Sequence, residues 1–362
     1  MKYLPVEILK DFMIEVFCKV GVPLEDAKIC ANVLIASDLR GIESHGIGRL
    51  KMYYDRIKLG IQFPETKIDV IKDKYATAVW DGNHGMGHVI GYRAMQTAID
   101  KAKQFGLGAV AVRNSTHYGI CGYYAEMATK QDMIGMTFTN ARPSVCPTNG
   151  VEPLLGTNPI CFGAPTDLPY PFLYDAATSI SQRGKVEQYA REEKDTPPYW
   201  AINLKGEPQT DTKRLLVDLI KQTASMLPIG GSEEVTGSHK GYGLSTMVEI
   251  LSSALQNGGF LNQLLGMNQD GSAAPYKLGH FFMAINIDFF TEIVDFKKTC
   301  GDICRELQNS KLFPGQDRIY VAGEKEYENE LQVLKRGVPI IPNLQKDIEF
   351  MQAELGISML NL

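Results

Sequence analysis

The sequence lacks the marks of a nucleic-acid-binding or membrane protein. Its 37 Lys and Arg against 42 Asp and Glu give a net charge of -5, so there is no basic excess to attract nucleic acid or an anionic membrane. No uninterrupted apolar run approaches the ~18 residues that a membrane-spanning helix needs. Residues 1–7 lack the apolar core of a signal peptide. We therefore predict a cytoplasmic protein that binds neither nucleic acid nor membrane.

A disulfide framework is also missing. The seven cysteines are scattered, odd in number and without any C-x-x-C pair, which is typical of reduced thiols in a reducing compartment. Cys300 and Cys304 lie four residues apart on a predicted helix, but no other Cys or His is near them in the sequence. We therefore predict no metal site.

The glycine fingerprint of a Rossmann dinucleotide site is absent as well. Residues 106–111 match the G-x-G-x-x-A form, but a predicted helix precedes them and a strand follows, so we interpret Gly106 as a helix end. Residues 85–87 and Gly91 do lie between a strand and a helix, but their spacing is wrong. The next strand ends in Arg113 and not in the acidic residue that would hold a ribose. These patterns argue against a Rossmann site.

What the chain does have is a mixed α/β pattern framed by helices. Apolar spacing and turn residues predict the elements given in the next sentence. They are helices over 6–59, a strand-like segment at 64–80, a helix at 90–104, a strand at 108–112, short strands and loops over 133–174, a connector at 195–211, helices at 215–226 and 240–258, a strand at 281–290, a helix at 292–307, a strand at 318–321 and a helical tail from 325. We predict an α/β unit over 71–324, flanked by a helical unit built from 1–70 and 325–362.

Two polar stretches are candidates for chemistry. His45 precedes Arg49 by four residues, so in a helix both side chains would share one face, where an imidazole could move a proton and a guanidinium could grip a carboxylate. His117 follows the predicted strand at 108–112, a place where catalytic groups often stand. The alternatives are a surface His beside a solvated Arg for the first stretch, and a structural His that caps the next helix for the second.

A metal-dependent hydrolase is the alternative from another class. His84 and His88 have the H-x-x-x-H spacing of a zinc site, and His117 could complete it. The pair lies in a glycine-rich turn and lacks the intervening Glu of a zinc protease. We therefore predict that these histidines bind no zinc. A nucleotide-binding protein without catalytic activity is a third alternative.

Five stretches, in this order, resemble the type 2 malate/L-lactate dehydrogenase family. They are residues 36–46 (ASDLRGIESHG), 114–124 (NSTHYGICGYY), 155–160 (LGTNPI), 175–179 (DAATS) and 239–244 (HKGYGL). The resemblance runs from about Val6 to Glu324 and covers nearly the whole chain. The family also includes ureidoglycolate, sulfolactate and diketogulonate enzymes and cyclic-imine reductases.

The resemblance implies an NAD(P)-dependent oxidoreductase with an α/β fold that is not a Rossmann fold. It implies a cofactor-binding domain with a mixed sheet, a helical domain from both chain ends, and a homodimer. It also places His45 and Arg49 at the substrate and His117 at proton transfer. Since the family's acid/base role is assigned to either histidine, both are candidates and we favour His117.

The resemblance further implies a set of cofactor-binding residues. They are Ser144, Asp175, Ala177, Thr178, Lys240, Gly323 and Glu324. Two departures from the family pattern affect them. Ala322 stands where the family usually has Pro, and residues 233–238 replace a short glycine loop before Lys240.

Within the family we predict malate and oxaloacetate as the substrate pair. A second carboxylate needs a second cation, and Arg142 and Arg183 are the candidates. L-lactate, ureidoglycolate, sulfolactate and cyclic imines remain alternatives. Asp175 at a strand end favours NAD over NADP, because a carboxylate there could accept hydrogen bonds from ribose hydroxyls and repel a 2′-phosphate.

Overall fold

A computed structural model describes residues 2–358 of the chain. Within that range the chain forms eleven α-helices. They are α1 (Val6–Lys19), α2 (Leu24–Leu39), α3 (Leu50–Lys58), α4 (Gly87–Phe105), α5 (Cys121–Thr129), α6 (Arg183–Arg191), α7 (Thr212–Lys221), α8 (Ser238–Ser253), α9 (Ile293–Gln308), α10 (Glu324–Arg336) and α11 (Pro342–Leu355).

Eleven strands between Lys2 and Ser358 form three sheets. They are β1 (Lys2–Leu4), β2 (Asp69–Lys74), β3 (Thr77–Asp81), β4 (Leu107–Ser115), β5 (Met133–Thr139), β6 (Ile160–Ala164), β7 (Phe172–Ala176), β8 (Ala201–Asn203), β9 (Ala224–Met226), β10 (Leu278–Asn286) and β11 (Val338–Ile340). The main sheet has the order β2-β3-β4-β10-β5-β6-β7, in which only β3 and β4 run parallel. The pairs β1–β11 and β8–β9 form two small antiparallel sheets.

Helices α4 and α5 cover the middle of the main sheet. Ala94, Ala98 and Ala102 of α4 are fully buried against it, because small side chains let the helix approach the strands closely. Gly108 of β4 shows how close the approach is, since a Cβ there would lie 1.9 Å from the carbonyl oxygen of Ala98. The start of β4 is thereby packed directly against α4.

A second core joins the two ends of the chain. Leu9, Phe12 and Leu34 from the N-terminal helices pack in one buried cluster with Val333 and Ile348 from the C-terminal helices. The predicted fold class, a mixed sheet that is not a Rossmann fold with helices from both chain ends, is thus confirmed. The predicted domain boundaries stay a prediction, and Met1 and residues 359–362, which they include, lie outside the described range.

Several predicted elements were wrong in their details. The helix predicted at 215–226 ends at Lys221, because Gln222 adopts a left-handed conformation with φ 59° and the chain turns into β9. Tyr75, at φ 46°, divides the segment 64–80 into the hairpin β2–β3. Residues 318–321 form no strand, since this segment pairs with no strand of the three sheets.

Three shorter corrections concern strand ends and short strands. The strand predicted at 281–290 ends at Asn286 and continues as a short 3₁₀ turn. The predicted connector contains β8, and the predicted helical tail is interrupted by β11. Both strands are three residues long and depend on distant partners.

All seven cysteines are free thiols. Among the helices of the described range, none is long and apolar enough to cross a membrane.

Candidate active site

The loop that carries His45 is shaped by a buried acidic side chain, Asp38. Asp38, near the end of α2, accepts a hydrogen bond from the backbone N–H of Ile47 at 2.8 Å. Gly46 is required beside it, because a Cβ at this position would lie 1.8 Å from Asp38 Oδ1. Ser44 and His45 consequently lie in a bend, and helical structure begins only at Ile47 as a 3₁₀ turn. The helical arrangement considered from the spacing of His45 and Arg49 is therefore wrong.

Arg49 nevertheless lies beside His45, held by a different set of contacts. Its Nε donates a hydrogen bond to the carbonyl oxygen of Ser44 at 2.6 Å. Its terminal nitrogen Nη2 lies 4.0 Å from Glu187 of α6, and Glu187 also accepts a hydrogen bond from Arg183 Nε at 2.9 Å. The end of the Arg49 guanidinium thus faces a carboxylate at long range and can receive another anion.

An open cavity of about 640 Å³ adjoins Arg49. We call it the Arg49 cavity. It is lined by Ser44 and Arg49, by Lys185 and Arg191 of α6, and by Asn343 at the start of α11, among others.

His117 stands two residues after β4 ends at Ser115, as predicted. The turn that carries it is fixed by Thr116, whose hydroxyl donates to the carbonyl oxygen of Gly85 at 2.8 Å and accepts from the N–H of Gly87 at 2.9 Å. The turn is therefore fastened to the segment that begins α4. His117 itself does not cap a helix, because its Nδ1 faces the hydroxyl of Tyr53 at 2.5 Å.

The structure brings His45 and His117 together. Their rings stack at a centroid distance of 5.6 Å with an interplanar angle of 24°. Both rings are partly exposed to solvent and otherwise surrounded by protein. We refer to them as the histidine pair.

Both members of the histidine pair are neutral at physiological pH. Burial, with a smaller contribution from the Arg49 charge, lowers the pKa of His45 to about 4. Burial first, and then the neighbouring His45, Arg56 and Arg49, holds the pKa of His117 well below its usual value. A neutral imidazole has one nitrogen that can accept a proton, as an acid/base group in alcohol oxidation requires.

Asp175, Ala177 and Thr178 lie at and just beyond the end of β7. Asp175 Oδ2 accepts the backbone N–H of Gly122 at 2.7 Å, at the start of α5. Asp175 is accessible to solvent, but the protein around its carboxyl group displaces much of the water there, and this loss of solvation raises its pKa to about 6. Thr178 is buried, and its hydroxyl is used in bonds to the carbonyl oxygens of residues 157 and 158.

Gly323 and Glu324 approach the other end of β7. Gly323 has φ 94°, and a Cβ on it would lie 2.6 Å from the carbonyl oxygen of Pro171. Glu324 is buried, accepts hydrogen bonds from Gln308 at 2.8 Å and from the N–H of Val321 at 3.1 Å, and pairs with Arg318. Its carboxylate therefore organises its own loop.

A second cavity, of about 300 Å³, lies beside these residues. We call it the Gly323 cavity, and Arg40, Glu126 and Glu326 also line it. Arg40 Nη1 is buried and has no hydrogen-bond partner in residues 2–358. Arg40 is also close enough to Asp175 for its positive charge to lower the pKa of that carboxyl group. Asp175 therefore lies in the same region of the protein as the Gly323 cavity.

Ser144 and Lys240 lie elsewhere. The backbone of Ser144 is bonded to Leu155 and Met226, whereas its hydroxyl makes no hydrogen bond in the described range. Lys240 is the third residue of α8, exposed and without an ion-pair partner among residues 2–358. The structure does not bring these two residues into a common contact with Asp175.

Two participants escaped the sequence analysis. Tyr53 touches His117, and Glu187 links Arg49 to Arg183. The only sequence signal for either was spacing, because Tyr53 follows Arg49 by four residues and Glu187 follows Arg183 by four.

The metal-dependent hydrolase finds no support. No group of three or more His, Cys, Asp or Glu side chains among residues 2–358 is arranged to hold a metal ion. His84 bonds to the carbonyl oxygen of Tyr276, and His88 is buried in α4 with neither ring nitrogen hydrogen-bonded within that range.

Comparison with known proteins identifies the chain's relatives. The model of the malate/L-lactate dehydrogenase family matches residues 4–349. The malate dehydrogenase of Pyrococcus abyssi is 44% identical over 359 residues, 99% of this chain and 96% of that protein. The L-sulfolactate dehydrogenase of Methanocaldococcus jannaschii is 40% identical over 353 residues, 97% of this chain and 96% of that protein.

A solved structure agrees over the whole length. The crystal structure of malate dehydrogenase from Entamoeba histolytica has a TM-score of 0.97 to this chain at 45% identity, and the alignment covers 100% of this chain and 99% of that one. The chain belongs to the malate/L-lactate dehydrogenase family, as its sequence predicted, and is an oxidoreductase that uses a nicotinamide cofactor.

Proposed function

We propose that the enzyme transfers hydride between NAD and C2 of malate or oxaloacetate. The observation that carries the proposal is the neutral histidine pair stacked beside Arg49, whose guanidinium end is open to an anion. The similarity to malate dehydrogenases supports the choice of substrate. L-lactate, sulfolactate, ureidoglycolate and cyclic imines are the alternatives.

Arg49 and the histidine pair have separate roles in this proposal. Arg49 binds the C1 carboxylate through its terminal nitrogens, because its Nε is already used by Ser44. In oxidation, the hydroxyl proton of the substrate moves to an imidazole of the histidine pair, and in reduction the imidazolium returns it. The nicotinamide cofactor, when bound, takes up the hydride from C2 or supplies it.

Arg183 is the proposed partner of the second carboxylate of malate. Glu187 already links Arg183 to Arg49, so the two cations lie on either side of one carboxylate. Arg142, the other candidate, turns towards α7, where its Nη2 lies 3.4 Å from the carbonyl oxygen of Ile220. The C4 carboxylate of malate would replace Glu187 at Arg183 while the C1 carboxylate occupies Arg49.

The residues near β7 fit a dinucleotide. The accessible carboxylate of Asp175 is suited to ribose hydroxyls, and Gly323 lets its loop pack directly on the start of β7, beside the Gly323 cavity. Asp175, Ala177, Thr178 and Gly323 would hold one part of the cofactor, the backbone of Glu324 would adjoin it, and Ser144 and Lys240 would hold another part. We propose NAD over NADP because Glu326 and Glu330, which line the Gly323 cavity and have no ion-pair partner among residues 2–358, disfavour a 2′-phosphate. Glu126, which also lines the cavity, is paired with Arg40 and Lys130.

We also propose a homodimer. The support is the family resemblance and an exposed apolar face on α8 that includes Leu244, Met247 and Ile250. Light scattering of the purified protein would test it, and a monomer at micromolar concentration would contradict it. The predicted cytoplasmic location stays a prediction.

A panel of 2-keto acids tests the proposed function. Oxaloacetate, pyruvate and 3-sulfopyruvate would each be reduced with NADH and with NADPH, and reduced-nicotinamide absorbance would be followed. We expect the highest kcat/KM for oxaloacetate with NADH. A tenfold preference for NADPH, equivalent to about 1.4 kcal/mol, would overturn the cofactor assignment and point to a basic residue such as Lys185 or Arg183. Cofactor binding without any turnover would favour a non-catalytic nucleotide-binding protein.

A further inference from the structure

Tyr53 contacts the histidine pair from inside the protein. It lies on α3, one turn after Arg49, and its side chain is fully buried. Its hydroxyl oxygen lies 2.5 Å from Nδ1 of His117. The ring packs against Phe17 and, edge to face, against His88 at a centroid distance of 4.6 Å. The hydroxyl therefore points from a rigid apolar core at one nitrogen of His117.

The direction of this hydrogen bond follows from counting donors and acceptors. Within residues 2–358 the Tyr53 hydroxyl has no partner other than His117 Nδ1. If Nδ1 carried a proton and donated it, the hydroxyl proton of Tyr53 would have no acceptor in the protein interior. An unsatisfied buried donor destabilises the folded state. His88 offers no alternative, because neither of its ring nitrogens is hydrogen-bonded within the same range. The hydroxyl consequently donates and Nδ1 accepts.

A second donor points to the same nitrogen. The backbone N–H of Gly119 is directed at His117 Nδ1 at 3.4 Å. This contact is long, but an N–H cannot act as an acceptor, so it too is compatible only with an unprotonated Nδ1. Burial raises the pKa of Tyr53 far above its usual value, and the phenol therefore keeps the proton that it donates.

We propose that Tyr53 is a positioning residue that holds neutral His117 in the tautomer with its proton on Nε2. Because the Nδ1 edge faces fully buried Tyr53, the Nε2 edge is the one nearer solvent. His117 then presents an N–H donor to the cleft.

This tautomer divides the work of the histidine pair, a consequence that rests on the proposed function. Neutral His117 can donate a hydrogen bond to the substrate oxygen at C2, but its Nε2 cannot accept the hydroxyl proton. Proton acceptance in oxidation falls to His45, whose Nδ1 lies 2.9 Å from the Ser44 hydroxyl and whose Nε2 has no hydrogen-bond partner in the described chain. In that step the substrate O–H bond would break and its proton would join His45, while the hydride would pass from C2 to a bound nicotinamide as the C2 carbonyl forms.

Nitrogen NMR of the wild-type enzyme tests the tautomer directly and needs no activity. Histidine would be labelled with ¹⁵N at both ring positions, and the His117 signals would be assigned by their loss in His117→Gln. We expect Nε2 to couple to a directly bonded proton and Nδ1 to show the shift of a hydrogen-bonded, unprotonated nitrogen. A proton on Nδ1 at neutral pH would overturn the proposal, whether or not the proposed substrate is turned over.

Tyr53→Phe tests the role of the hydroxyl, with Tyr54→Phe as the matched control. Tyr54 is the next residue and also buried, but its ring packs against Phe350 on the other side of α3. In Tyr53→Phe we expect the Nδ1 signal to move towards a mixture of tautomers and kcat to fall about tenfold, with the KM for the cofactor unchanged. The control should change neither.

The outcomes of these experiments separate the two proposals. An unchanged His117 spectrum in Tyr53→Phe would overturn the assignment of Tyr53. If that variant did not fold, the wild-type spectrum would still decide the tautomer. The expected wild-type spectrum together with inactivity on every keto acid would leave the tautomer standing and remove the proposed function.

Discussion

The two sides of the candidate active site are held by forces of very different strength. On the His117 side, contacts are short and buried, with Tyr53 at 2.5 Å and Thr116 fastened to two backbone groups. On the Arg49 side, the guanidinium and Glu187 are 4.0 Å apart, and their side chains are 26% and 29% exposed. Partly exposed ion pairs of this kind contribute about 0–1 kcal/mol.

The rigid side and the loosely held side are thus proposed to have different roles: the His117 side transfers the proton, and the Arg49 side binds the substrate carboxylates. The groups proposed to move the proton sit where displacement is costly, because buried hydrogen bonds would be broken. The groups proposed to bind carboxylates lie on a short 3₁₀ turn and on α6 and are partly exposed, so that their rearrangement costs little. We therefore expect substrate selectivity to change readily through the Arg49 side and the proton-transfer chemistry to be fixed by the His117 side.

The largest expected effect comes from removing the histidine pair itself. His45→Ala and His117→Ala should each lower kcat by about 10²-fold or more, because an acid/base group or its hydrogen-bond donor is lost. Steady-state kinetics on malate and oxaloacetate would measure this loss, and cofactor titration should show that binding is kept. Near-normal turnover in either variant would remove that histidine from the proposed mechanism.

The next effect tests how strongly the buried side is coupled to pH. Burial alone lowers the pKa of His88 to about 3, from 6.5 for an ordinary histidine. As pH falls below 6.5 the unfolded chain takes up a proton that the folded protein refuses, so stability is lost towards acid pH. At pH 5 the difference is about 1.5 units, or about 2 kcal/mol.

We therefore expect His88→Phe to be more stable, relative to wild type, at pH 5 than at pH 7 by about 2 kcal/mol. Urea unfolding at both pH values would measure it. The exposed His239, changed to Gln, serves as the control for the loss of a histidine outside the core. An equal stability difference for His88→Phe at the two pH values would contradict the assignment of a neutral buried ring.

Elements with a long local pattern were predictable from the sequence, whereas short elements that depend on a distant partner were not. The helix near 90–104 and the strand near 108–112 are confirmed because each has a long apolar pattern that shows its buried face. By contrast, β1 and β11 are three residues each and pair across nearly the whole chain. Nothing local distinguishes such segments from loops, since their partner decides their structure.

The site was predictable to a similar extent. The end of β4 indicated His117. The four-residue spacing of His45 and Arg49, and then the resemblance, indicated those two residues, although the helix that the spacing suggested is not formed. Tyr53 was not predictable, because a tyrosine on the buried face of α3 looks like any core aromatic residue until the fold brings it to a histidine 64 residues away. Glu187 looked like half of an ordinary pair within a helix, and its second contact, to Arg49, depends on how α6 docks.

On the recognition side, Arg49→Lys is expected to lower kcat/KM about tenfold, or about 1.4 kcal/mol. Lysine keeps the charge, but a point charge cannot reproduce a planar, two-point grip on a carboxylate. Arg93→Lys is the control, since Arg93 pairs with Asp26 and lines neither the Arg49 cavity nor the Gly323 cavity. Wild-type kinetics in Arg49→Lys would show that Arg49 does not bind the C1 carboxylate.

The smallest effect distinguishes substrates and is the sharpest test of the recognition side. Arg183→Gln should reduce kcat/KM for oxaloacetate about fivefold, or about 1 kcal/mol, and leave pyruvate nearly unaffected, because only oxaloacetate carries a second carboxylate. The expected effect is modest since Arg183 is 44% exposed and already shares Glu187 with Arg49.

Arg142→Gln is the matched control and should affect both keto acids equally, because its guanidinium faces Ile220. An equal loss on both substrates in Arg183→Gln would mean that Arg183 only orients Glu187 and Arg49. Selective loss in Arg142→Gln would instead move the second carboxylate to the other side of the cleft.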